Sequence, residues 1–322
     1  MLYVPAIVGG ILVLALGADR FVNGAASLAR GLEISPLMVG LTVVALGTSL
    51  PELLVTVTAT VVGHPQVAVG NILGSNISNI GLVLGVSSLV RPMLVHSHLL
   101  SRQYPFLLLI TVVVWLMASS GEIDRFNGML LAAGMLFLLV LMVRGAKEGK
   151  ESFISKGFSE PSGSTFRALR SPVVNLVGGL LLLLTGSRAL IWGGVGLAHA
   201  LGVDELVIGL TLMAVGTSLP ELATTLVGTI KKEDDIAAGN VVGSNLFNTL
   251  GILGISAMLR PLPIAAEALA RDFPAMLLAT FALWPICRSW RRRPGQVSRW
   301  EGGVLLGGYG LYLVVLFRFA PF

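Results

Sequence analysis

The chain repeats itself. Residues 40–85 and residues 209–254 align without a gap at an offset of 169, and 22 of the 46 positions are identical. Two apolar segments that resemble each other by chance share Leu and Val. Here Gly, Pro, Glu, Asn, Ser and Thr coincide, which marks a duplicated structural unit. The register runs on beyond the core, pairing Gly17 with Gly186, Arg91-Pro92 with Arg260-Pro261, Pro105 with Pro274 and Trp115 with Trp284. Whatever one half folds into, the other half must fold into as well.

Composition says where that folding takes place. Of the 322 residues, 54% are hydrophobic and 12% charged, with a mean hydropathy of +0.85. A soluble domain carries roughly a quarter charged residues, so the chain cannot coat a water-facing surface of its size. A soluble enzyme, a disordered chain and a nucleic-acid-binding protein are excluded on this ground. The net charge of +5 comes from short basic clusters between apolar runs, the pattern of membrane topology. A single cysteine, Cys287, permits no intrachain disulfide.

A bilayer core takes about 20 apolar helical residues to cross. Such runs fall near 2–18, 35–62, 66–90, 103–120 and 126–143, then near 173–191, 205–230, 235–259, 272–288 and 302–319. The expectation is an all-α polytopic membrane protein of ten transmembrane helices. Its domains are a first five-helix repeat (1–143), a linker (144–171) and a second five-helix repeat (172–322). With both termini outside, 17 of the 22 Lys and Arg residues lie on the linker side, which predicts a cytoplasmic linker. A plasma (inner) membrane location is expected. The first segment lacks a basic start and a cleavage site and reads as a retained helix. Because each unit has an odd number of spans, the second must be inverted relative to the first. That arrangement builds the two similar end states of many secondary transporters.

Of 17 acidic residues, only Glu52 and Glu221 lie deep within predicted spans, at equivalent repeat positions. A carboxylate in hydrocarbon costs at least ~3 kcal/mol, and no Lys or Arg stands at that depth. A bound cation is the expected counter-charge; protonated, hydrogen-bonded packing groups are the alternative. In GTSLPE, Thr48 and Glu52 are four residues apart and share a helix face, as do Thr217 and Glu221. Pro51 and Pro220 interrupt the hydrogen-bond ladder and free a carbonyl near Ala45–Thr48 and Ala214–Thr217. Asn71, Ser75 and Asn79 recur at i, i+4 and i+8 in the next span, and Asn240, Ser244 and Asn248 repeat them. All these donors are oxygens, with no His or Cys, which suits hard cations such as Ca²⁺ and Na⁺ rather than zinc or copper. Gly70-xxx-Gly74 and Gly239-xxx-Gly243 predict close helix contacts.

Other features carry less. His96 and His98 read as a solvated loop pair, and Lys231–Asp235 as a solvated turn outside the site. Arg291–Arg293 reads as a topology anchor that meets anionic lipid, and Trp115, Trp284, Trp290 and Trp300 as interface or packing residues. No HExxH, Ser–Lys or paired-Asp arrangement within the spans suggests an enzyme, and no cofactor is expected.

GTSLPE followed by GNILGSNISN, and again GTSLPE followed by GNVVGSNLFN, closely resemble the two alpha-repeats of sodium/calcium exchangers of the calcium/cation antiporter superfamily, the prokaryotic members above all. The resemblance covers nearly the whole chain. It implies alternating-access exchange of Ca²⁺ for Na⁺ through four central sites between the repeats. A Ca²⁺/H⁺ or other cation antiporter on the same scaffold is the alternative. The implied ligands are the Ala45 carbonyl and the Thr48, Ser49, Glu52, Ser75 and Asn79 side chains. From the second half they are Ala214, Thr217, Ser218, Glu221, Ser244 and Asn248. The first span of each half, 2–18 and 173–191, would form a gating pair that slides against the other eight. Some members, including potassium-dependent ones, carry Asp where this chain has Asn248. With Asn at both 79 and 248 only two negative charges are available, so K⁺ is not expected as a co-substrate. The implied partners are Ca²⁺, Na⁺ and the lipid bilayer, with no nucleic acid, and a monomer is compatible with all of this.

Overall fold

The computed structural model describes residues 2–95, 103–154, 165–201, 214–287 and 295–318. Helices run through nearly all of them: α1 (Tyr3–Leu32), α2 (Pro36–Thr48), α3 (Leu50–Val61), α4 (Pro65–Val90), α5 (Tyr104–Ala118) and α6 (Arg125–Ile154). Then come α7 (Thr165–Ala200), α8 (Ala214–Thr217), α9 (Leu219–Ile230), α10 (Asp234–Leu259), α11 (Phe273–Cys287) and α12 (Arg299–Arg318). Six of these are long and apolar enough to cross a bilayer, or seven if α2 and α3, bent by 47° at their junction, are one broken span. All ten expected runs overlap a described helix, but several are too short to count. The 15 residues of α5, for example, rise about 22 Å against a core of ~30 Å.

Several boundaries differ from the expected ones. No breaker interrupts the chain after residue 18, so α1 continues to Leu32 and carries Arg20 and Arg30, expected in a loop, on a helix. In the same way α7 extends past both ends of 173–191. The linker 144–171 is helical at 144–154 and 165–171. His96, His98, Trp290 and Arg291–Arg293 lie outside the described residues.

The surface carries large apolar side chains, and a set of polar groups lies buried among the apolar side chains of the interior. Leu54, Leu116, Leu136, Phe137, Leu181, Leu278 and Leu311 are exposed, while Thr48, Glu52, Asn79, Glu221, Asn240 and Asn248 are buried. The protein is a mostly helical integral membrane protein.

By contact the chain forms two compact units, Met1–Pro51 with Leu136–Gly243 and Glu52–Met135 with Ser244–Phe322, so each unit draws on both repeats. In the first, α1 and α7 pack along each other, antiparallel. Apolar helices in lipid associate through close van der Waals fit rather than through water exclusion, and glycine supplies that fit. A Cβ at Gly17 would lie 2.7 Å from the Leu183 nitrogen, and one at Gly186 2.7 Å from the Leu14 nitrogen. Gly10, Gly17 and Gly24 recur every seven residues, as do Gly179, Gly186 and Gly193, so the smooth stripe faces the partner along the whole pair. Gly243 likewise seats α10 on α2, where an added Cβ would lie 2.7 Å from the Ala45 Cβ, as its GxxxG spacing predicted. At the equivalent Gly70 and Gly74 an added Cβ would meet nothing within 4 Å beyond its own helix among the described residues.

In the second unit two short antiparallel pairings tie the repeats together. Met93–Leu94 pairs with Gln296–Val297, and Glu122–Ile123 with Leu262–Pro263. The turn before α4 uses Gly63 at φ 93°, and its repeat counterpart before α10 is Lys232 at φ 65°. A left-handed non-glycine residue costs roughly 1–2 kcal/mol. Lys232 sits in the charge run expected to be a solvated turn, but that run is docked. Lys231 Nζ meets an Asp19 carboxylate oxygen at 2.5 Å and Asn23 Oδ1 at 2.8 Å, and Glu233 meets Arg30 at 3.6 Å.

Candidate functional site

The site begins with a helix break that occurs twice. Ser49 ends α2 at φ −83°, ψ 10°, and Ser218 precedes α9 at φ −86°, ψ 8°. Pro51 and Pro220 follow, each in the first turn of a new helix, where a missing N–H costs nothing. The next residues are Glu52 and Glu221, so each carboxylate lies in the first turn, at the positive end of a helix dipole. Both are 1% exposed. The break does not strip the Ala45 carbonyl completely: it accepts the Ser49 N–H at 3.1 Å and lies 3.4 Å from the Thr48 hydroxyl. A carbonyl's second lone pair remains usable.

An asparagine from the next helix braces each break. Asn71 Nδ2 donates to Thr56 Oγ1 at 2.9 Å and to the Glu52 carbonyl at 3.4 Å. Asn240 Nδ2 donates to Thr225 Oγ1 and the Glu221 carbonyl at the same two distances. Both bonds use main-chain or threonine oxygens, which leaves the carboxylates out of the brace. In the first unit the Asn240 Oδ1 also accepts the Thr48 hydroxyl at 3.0 Å. There, too, Ser49 Oγ donates to Glu221 Oε1 at 2.9 Å, so residues from both repeats meet at one carboxylate. Glu221 Oε2 is buried without a hydrogen-bond partner among the described residues. Thr217 and Ser218 are buried at the second break, and Ala214 opens α8.

The second unit holds Glu52, Ser75, Asn79, Ser244 and Asn248, all buried. Asn79 begins a wider π-turn within α4 (Asn79–Leu84), and Asn248 lies in its counterpart in α10 (Phe247–Ile252). Such turns recur at functional sites because they offset side chains from the regular helical face. The Ser75 and Ser244 hydroxyls, the Asn79 carbonyl oxygen and both polar atoms of the Asn248 amide have no partner among the described residues. Buried polar atoms left this way cost about 1–3 kcal/mol each. The oxygens among them are the kind of donor that a hard cation takes. No group of three or more His, Cys, Asp or Glu residues among the described ones is placed to hold a metal ion. A metal here would be held by one or two carboxylates and neutral oxygens.

Sequence reasoning singled out Asn71 and Asn240 by their spacing but not their bracing role. It missed Thr56, Thr225, Asn76, Asn245 and Thr249 entirely. Asn79 Nδ2 donates to Asn245 Oδ1 at 3.0 Å, and Asn76 Nδ2 to Thr249 Oγ1 at 2.8 Å. Identity between the repeats at Asn76/Asn245 was the available signal.

Comparison with known proteins agrees with this fold. The profile of the sodium/calcium exchanger protein family matches residues 2–144 and 171–318. The sodium/calcium exchanger MaX1 of Methanosarcina acetivorans is 31% identical over 342 residues, covering 96% of both chains. The inner membrane protein YrbG of Escherichia coli is 38% identical over 327 residues, covering 100% of this chain and 98% of that one. Among solved structures, the sodium-calcium exchanger NCX_Mj soaked with 2.5 mM Na⁺ and 0.1 mM Ca²⁺ matches with a TM-score of 0.83 and 28% identity. That match covers 100% of this chain and 99% of the other.

Proposed function

Because the chain belongs to the sodium/calcium exchanger family, we propose that it is an antiporter moving Ca²⁺ against Na⁺ across the inner membrane by alternating access. The observation that carries this reading is the pair of repeat-related glutamates, each buried just after a proline break, with its main-chain carbonyl accepting an asparagine amide from the next helix. Those braces use the main-chain carbonyls, and Glu221 Oε2 is buried with no hydrogen-bond partner among the described residues.

The proposed fold is ten spans in two inverted five-helix repeats, with both termini outside and the linker cytoplasmic. The proposed ligands are the Ala45 and Ala214 carbonyls with Thr48, Ser49, Glu52, Ser75 and Asn79 and with Thr217, Ser218, Glu221, Ser244 and Asn248. Supporting them are the unpartnered buried oxygens of Ser75, Asn79, Ser244 and Glu221. Two carboxylates balance one Ca²⁺ or two Na⁺; a third Na⁺ would add uncompensated charge in a low-dielectric interior. α1 and α7 are the proposed gating pair, and their glycine-lined seam fits helices that move as one body.

Sodium-gradient-driven Ca²⁺ flux in proteoliposomes, with Na⁺, K⁺, H⁺ and Li⁺ exchanged in turn, tests the reading. Flux driven by Na⁺ and indifferent to K⁺ is expected. Flux driven by a proton gradient alone would establish the Ca²⁺/H⁺ alternative, and an absolute need for K⁺ would overturn the charge argument.

A further inference from the structure

An asparagine serves a cation only when its carbonyl oxygen, not its amide nitrogen, faces the ion. The two atoms are nearly isosteric, so something must choose between them. For Asn79 the choice is made by a relay of hydrogen bonds that ends on a group with no choice. The Asn76 main-chain carbonyl can only accept, and Asn245 Nδ2 donates to it at 3.4 Å. With its nitrogen committed there, Asn245 presents Oδ1 to Asn79, whose Nδ2 donates to it at 3.0 Å. The Asn79 nitrogen is thereby committed too. Its Oδ1 is left buried, with no protein partner among the described residues.

The relay is itself held. Thr249 Oγ1 donates to the Asn245 carbonyl at 2.7 Å and accepts from Asn76 Nδ2 at 2.8 Å. Thr249 breaks the symmetry of the duplication, because its repeat counterpart is Ile80. In the other repeat the Asn76 nitrogen goes to Thr249 and to the Met276 sulfur, at 3.4 Å, and its Oδ1 has no partner among the described residues. Neither polar atom of the Asn248 amide has a partner among the described residues. One amide of the repeat pair is oriented and the other is not.

We propose that Asn245 is a positioning residue for cation binding: it fixes the Asn79 amide with its oxygen available to the ion, and no equivalent among the described residues does so for Asn248. The proposal rests on Asn79 being a ligand, as inferred above. Partners that orient a metal ligand without touching the metal typically contribute 10–100-fold to affinity.

The test is a double-mutant cycle on purified, reconstituted protein, with Ca²⁺ half-saturation and maximal flux measured separately. Asn245→Ala is expected to raise the Ca²⁺ half-saturation about tenfold or more with little change in maximal flux. Asn79→Asp replaces the amide by a carboxylate whose two oxygens are equivalent and need no orienting. In that background, Asn245→Ala should shift half-saturation less than about twofold, far below the tenfold loss typical of a lost orienting partner. An equal effect in both backgrounds would show that Asn245 merely supports the fold and would overturn the proposal. If Asn245→Ala does not fold, Asn245→Ser, too short to reach Asn79, takes its place in the same cycle. Asn79→Ala separates the two levels. If it leaves Ca²⁺ half-saturation unchanged, Asn79 is not a ligand and both fail; if it weakens binding while the cycle is additive, only the positioning role fails.

Discussion

Ser49 and Glu221, 172 positions apart in the chain and drawn from opposite repeats, are joined by a 2.9 Å hydrogen bond from the serine hydroxyl to the buried carboxylate. Hydrogen bonds to charged groups contribute about 1.5–3 kcal/mol. Ser49→Ala is therefore expected to weaken Ca²⁺ half-saturation roughly tenfold, the effect of about 1.4 kcal/mol, in a proteoliposome flux assay. An unchanged value would mean that the bond does not shape the ion site.

Glu52→Gln and Glu221→Gln keep side-chain shape and remove the charge. The braces from Asn71 and Asn240 go to main-chain carbonyls and survive the substitution. Both variants should insert and elute as folded protein while Ca²⁺ exchange falls at least about 100-fold, the order of effect that losing a charged ligand brings. Wild-type exchange by either variant would refute the site assignment.

Asn240 makes three hydrogen bonds, to Thr48, Thr225 and the Glu221 carbonyl. Asn240→Ala leaves those buried groups unsatisfied, at roughly 1–3 kcal/mol each where no water enters. A fall of several degrees in apparent Tm in detergent is expected, and differential scanning fluorimetry would register it.

The seam between α1 and α7 can be probed by size alone. Gly17→Leu and Gly186→Leu each place a side chain against opposing backbone and should both disrupt the pair. Gly9→Leu, on the same helix with nothing within 4 Å, is the control and should be neutral. Matching losses of folded yield or transport at Gly17 and Gly186, with Gly9 unaffected, are the expected pattern.

Lys231 ties the turn before α10 to Asp19 and Asn23 on α1, and no charge stands at the equivalent position in the other repeat, Val62. Partly exposed ion pairs contribute about 0–1 kcal/mol. Lys231→Met should change exchange rates by less than about fivefold, and rising ionic strength should erase the difference. A large, salt-independent effect would indicate a different role.

Much of this was legible in one dimension because membrane residence and duplication both leave periodic marks. The two glutamates announce themselves by being charged where nothing else is, and the offset of 169 pairs every site residue with a counterpart. Helix starts were legible where a proline stood, as at Pro36 and Pro65. At Arg20 and Arg30, charge suggested a loop, while uninterrupted hydrogen-bonding capacity carried α1 on through. The charge run at Lys231–Asp235 misled in the same way, since solvation and an ion pair to a distant helix look alike in a sequence.

The sequence by itself determined the medium, the duplication, the proline breaks and the oxygen-only chemistry around Glu52 and Glu221, because these depend on residue type and spacing along the chain. Only the tertiary structure decided which oxygens are already engaged. Asn71, Asn240 and Asn245 act through partners 15 to 192 positions away, and no local pattern encodes such a distance. Thr249 and Ile80 occupy equivalent places in the duplication, but only the hydroxyl can divert the Asn76 amide, and that becomes visible once α4 and α10 pack together.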